Sequence, residues 1–100
     1  MVQKVDSIIK LNLKTILEKV EERYGLKLSR KIVMVDYDEK LGSLFIKFKH
    51  SDIIDGKPTS DGLIIFHYGK GDELIAIEIL DVTKIQQQHS SAFMLCYFSR

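Results

Sequence analysis

Apolar side chains recur along the first quarter of the chain at helical spacing: Val5, Ile8, Ile9, Leu13, Ile16, Leu17, Val20 and Tyr24. Steps of three and four draw them onto one stripe. Lys10, Lys14, Glu18, Glu21 and Glu22 fall mostly off it, and Lys14 and Glu18 form an i,i+4 pair of opposite charge. Asp6 or Ser7 can cap the start, and Gly25 can end the segment in a left-handed turn. The spacing predicts a helix over residues 7–24, although Leu11 sits poorly on the stripe.

Beyond Gly25 the period shortens to two. Residues 31–37 contain Ile32, Val33, Met34 and Val35 and read as a strand. Residues 38–42 read as a turn, and residues 44–49 alternate, with Leu44, Ile46 and Phe48 opposite Phe45, Lys47 and Lys49. Residues 50–61 are polar, hold Pro58, and read as a connecting loop. Two further β-rich runs, 63–68 and 74–80, flank Gly69, Lys70, Gly71 and Asp72, whose tolerance of positive φ suits a tight hairpin. The pattern predicts an α+β chain, with the N-terminal helix packed on an antiparallel sheet of about four strands built from two β-hairpins.

In the last of these strands Ile75, Ile77 and Ile79 share one face, while Glu78 interrupts Leu74, Ala76 and Leu80 on the other. The first and third strands are apolar on both faces. One amphipathic helix covers a single side of a sheet, so the other side must meet residues 92–98 or a partner chain. Those residues form an apolar run containing Phe93, Leu95 and Tyr97, which stand as candidate interface residues. A homodimer is the natural expectation for so short a chain.

Composition narrows the class. One hundred residues, 45% hydrophobic and 29% charged, suit a single domain over 1–100 with a modest core. Residues 85–100 form a C-terminal extension. Fifteen basic and fourteen acidic residues leave a net charge of +1, too little field to steer nucleic acid or anionic lipid. The single cysteine, Cys96, excludes an intrachain disulfide. No long apolar core followed by a small-residue cleavage site marks the N-terminus, and no apolar run approaches the ~20 residues that span a bilayer. The expected compartment is the cytoplasm.

Tyr37-Asp38-Glu39, Leu44-Phe45-Ile46, Asp61-Gly62-Leu63-Ile64 and the run from Leu74 through Ile77-Glu78-Ile79-Leu80-Asp81 together resemble the small domain-of-unknown-function family 2283 over about residues 36–84. Members of that family typically read Tyr-Asp, an acidic pair, Leu-Tyr-Ile, a loop, Gly-Val-Ile, a turn and Gly-Ile-Glu-Ile-Leu-Asp. Departures are Lys40-Leu41-Gly42, where the family is usually more acidic, and His67, Gly69 and Ala76 in place of common Asp, Asp and Gly. The resemblance implies no activity. It implies a partner-binding role, through association of some members with small toxin-like proteins. Tyr37, Asp38, Glu78 and Asp81 stand in its motifs and are the candidate binding residues.

Other chemistry finds little support. His50, His67 and His89 form no metal-ligand spacing, so neither a metal nor a cofactor is expected. Asp52, Asp55 and Asp61 with Gly56 read as a solvated loop rather than a calcium loop. Gly69-Lys70-Gly71 lacks the strand-to-helix context of a phosphate cradle. Ser43, Ser90, Ser91 and Cys96 lie in no nucleophile motif. Glu78, set among isoleucines, needs open water or a cross-strand lysine, Lys47 or Lys49. The leading reading is a homodimeric protein-binding module, antitoxin-like toward a small toxin as the resemblance suggests, and not an enzyme. The alternatives are a small enzyme or ligand binder using Glu78, His67 and Tyr37, and a weak nucleic-acid binder using Lys31, Lys47 and Lys49 with Phe45.

Overall fold

The computed structural model describes residues 2–85, with side chains from residue 13 onward. Their order is helix α1 (Val2–Tyr24), then strands β1 (Met34–Asp38), β2 (Ser43–Lys47), β3 (Asp55–Pro58), β4 (Ile64–Tyr68) and β5 (Leu74–Ile79). The fold is α+β, as the pattern predicts. The interface candidates Phe93, Leu95 and Tyr97 lie outside the described residues.

Two compact units divide the chain at Leu28 and Val82, the helix falling in one and all five strands in the other. In the helical unit Ile16, Leu17 and Val20, three members of the predicted stripe, are buried, as are Leu28 and Ile85. Gly25 closes the helix with φ +67°, and the Gly25 and Leu26 amides both donate to the Glu21 carbonyl. A side chain at that φ would crowd its own carbonyl, which is why glycine ends the helix there. The Glu21 carboxylate accepts a 2.6 Å bond from the Leu28 amide and so holds the turn that follows.

The second unit is a five-stranded sheet ordered β1-β2-β5-β4-β3, antiparallel throughout. Both predicted hairpins form, β1 with β2 and β4 with β5. The strand count differs from the expected four. Asp55–Pro58, inside the stretch read as a loop, pairs with β4 as an edge strand. Asp, Gly, Lys and Pro are poor strand formers, so local sequence conceals it. Pro58 is tolerated because an edge strand need not donate on its outer side. The amides of Ile54 and Thr59 donate to the carbonyls of Tyr68 and Ile64, both at 2.8 Å, and anchor the two ends of β3.

Alternation then sorts the faces. Leu44, Ile46, Ile64, Ile77 and Ile79 stand together on one face, each 1% exposed or less, and form the core of the unit. Phe45, Lys47, Ile65, His67 and Glu78 stand on the other, half-buried. A register shift between His67 and Tyr68 leaves Ile75 as the extra residue of a β-bulge on β5. Without that bulge, pairing outward from Tyr68 and Leu74 would set Glu78 opposite the core residue Ile64. The bulge therefore keeps the carboxylate on the solvated face.

Candidate functional site

Glu78 lies on β5, the central strand, between Phe45 of β2 and Ile65 of β4. A carboxylate flanked by two apolar side chains needs water or a partner. Here the partner is His67, whose Nε2 lies 3.2 Å from Glu78 Oε1, placed for the ring N–H to donate to the carboxylate. Their side chains are 18% and 36% exposed, so solvent also reaches the pair. Lysine does not fill this role. Lys49 bonds Glu73 instead, and Lys47 makes no ion pair among the described residues.

Phe45 packs edge-on against His67, with ring centroids 5.7 Å apart and planes at 60°. Room for the imidazole comes from Gly56, directly across on β3. A Cβ there would lie 3.2 Å from His67 Nδ1 and 3.4 Å from Ile65 Cγ2. Ala76, fully buried between Lys47 and His67, keeps the middle of the face low. The side chains directly opposite Glu78 are Phe45 and Ile65, and opposite His67 stand Ala76 and Gly56. None of these is a nucleophile.

The other candidates are placed elsewhere in the sheet. Tyr37 pairs with Leu44 and shares the core face, so the register separates it from Glu78 and His67. Asp38 caps its own turn: the amides of Lys40 and Leu41 donate to its Oδ1 at 3.0 and 3.2 Å. Asp81 stands beside the same turn, 3.2 Å from where a Cβ on Gly42 would be, while the Val82 amide donates to the Gly42 carbonyl. In the loop of carboxylates, Asp61 receives the Thr59 hydroxyl at 2.6 Å and the Leu63 amide at 3.0 Å, a turn-closing role. Lys57, which no motif singled out, lies 5.2 Å from the Tyr68 ring centroid.

A depression of about 500 Å³ lies in the helical unit, lined by Glu18, Glu21, Glu22, Gly25, Leu26 and Lys27. Its chemistry is that of a helix end, with Glu21 already engaged by the Leu28 amide. Among the described residues no three of His, Cys, Asp and Glu converge as metal ligands, and no helix is long and apolar enough to cross a membrane. The face of the sheet that carries Glu78 offers a mixed apolar and charged surface, and its His67–Glu78 pair is internally satisfied.

Residues 34–82 match the family described as protein of unknown function (DUF2283), in agreement with the resemblance read from the motifs. No curated protein and no solved structure matches the chain.

Proposed function

We propose, for a chain whose residues 34–82 are a DUF2283 domain, a role as a non-enzymatic protein-binding module that uses the open face of its sheet and pairs there with a second copy. One observation carries this reading. The face opposite the core sets Phe45 and Ile65 about the satisfied His67–Glu78 pair, with Met34 and Leu80 exposed at 45% and 39% on the same side. Isolated surface apolar residues need no explanation, but apolar residues gathered on one sheet face mark an interaction surface. A broad sheet face with apolar side chains suits a protein partner better than a small substrate, which binds in concave sites.

Sedimentation equilibrium at micromolar concentration tests the reading. The expected result is a species of twice the 11.5 kDa chain mass. Ile65→Lys should dissociate it, because lysine would add a charge to the apolar centre. Directly opposite Glu78, that lysine gains a cross-strand partner, so the strands should still pair. Unchanged circular dichroism would confirm that the sheet persists. A single 11.5 kDa species for the unsubstituted chain would overturn self-pairing.

A further inference from the structure

Charge on the open face is segregated by row. The register sets Asp36, Phe45, Glu78, Ile65 and Pro58 side by side across the five strands. The adjacent row is Met34, Lys47, Ala76, His67 and Gly56. One row holds the carboxylates of Asp36 and Glu78, and the next holds Lys47 and the imidazole of His67. Glu78 has its partner in His67. Asp36 and Lys47 lie diagonally on neighbouring strands, yet neither makes an ion pair among the described residues.

We infer that the second copy docks face to face about a twofold axis that runs between these two rows, perpendicular to the strands; the inference rests on the self-pairing proposed above. Rotation by 180° about that axis turns the sheet over and exchanges the rows, while each residue keeps its strand position. The acidic row of one protomer then lies over the basic row of the other. Asp36 lies one strand step, about 4.8 Å, to the side of the partner's Lys47, and symmetry makes the pair twice. Phe45 lies over the partner's Lys47 stem and ammonium, a contact both groups favour. Glu78 lies over the partner's Ala76, a small side chain that leaves room for it.

The alternative face-to-face axis runs along the strands, and charge decides against it. It would set acidic row on acidic row. Because β5 is the central strand, it would place Glu78 directly over the partner's Glu78. Extent sets the strength. Five strands at about 4.8 Å, each of four to six residues at about 3.3 Å, give roughly 400 Å² of plan area per protomer. That lies below the standard size of specific interfaces, in the range of weak and transient associations.

Charge reversal tests the axis. Asp36→Lys and Lys47→Asp each place two like-charged contacts in the homodimer, and each should weaken self-association roughly a hundredfold in sedimentation equilibrium. Mixed one to one, the two variants should associate again with wild-type affinity, because each new lysine meets the other chain's new aspartate. Asp36 is exposed and Lys47 half-buried, and circular dichroism checks the fold of each variant. Single variants that dimerise like the wild type would overturn the inference. So would a mixture that stays monomeric while the double variant, both changes in one chain, dimerises, since the charges would then act within a chain. In either case a wild-type dimer leaves the self-pairing reading standing; a monomeric wild type overturns both.

Discussion

Single residues explain their own types once their neighbours are known. Gly69 looks like a turn glycine, but its φ is −108°, open to any residue. Its reason is proximity: a Cβ would lie 2.8 Å from Ile75 Cγ1 and 2.9 Å from the Asp52 carbonyl oxygen. A backbone oxygen cannot swing aside as a side chain can, so Gly69→Ala should cost about 1–3 kcal/mol in urea unfolding. Gly71, two residues on, is the glycine that turn geometry requires, with φ +72° and no atom within 4 Å of a Cβ. Glu78 and His67 behave differently again. Their pair is partly exposed, so solvent screens it, and Glu78→Gln should shift stability by less than about 1 kcal/mol. A larger loss would mean that the carboxylate is held by more than His67 and water.

Strands differ in how firmly they are held, and the sheet order says which is weakest. β5 pairs on both edges, and its Ile75, Ile77 and Ile79 are all fully buried. Truncating Ile77→Ala leaves a cavity between Ile46 and Phe66, the residues across from it. The expected cost is about 2–5 kcal/mol, a large share of the roughly 5–15 kcal/mol that folds a domain. Denaturant midpoints compared at constant slope would check it. β3 has one neighbour and four exposed residues. Hydrogen exchange should therefore release the amides of Gly56 and Lys57 well before those of Ile75–Ile79, because edge opening needs no core exposure. Equal protection of the two strands would show that the outer edge of β3 is covered by another chain.

At the scale of the whole molecule, the near-neutral net charge conceals a patterned face. If Asp36 and Lys47 pair between copies, raising ionic strength from about 0.05 to 0.5 M shortens the screening length from above 10 Å to below 5 Å and should weaken the dimer several-fold. An association that strengthens with salt would instead mark an interface held by Phe45 and Ile65 alone. The helix, both hairpins and the buried stripe Leu44, Ile46, Phe48 were legible in the sequence because each is a local period or a local turn. The family resemblance was legible for the same reason, its motifs being strand and turn signals. Three things were not. The edge strand Asp55–Pro58 forms from poor strand residues because β4 offers it a free row of backbone partners. The bulge at Ile75 shifts the register of β5 against β4, which no local pattern encodes, although the alternation itself already set Ile77 and Ile79 on the face opposite Glu78. The pairing of Glu78 with His67, and the exclusion of Tyr37 from their face, follow from that register. Sequence by itself determined which segments are helix and hairpin, since those energies are settled between neighbours along the chain; tertiary structure decided which side chains meet, since that depends on strands brought together from far apart.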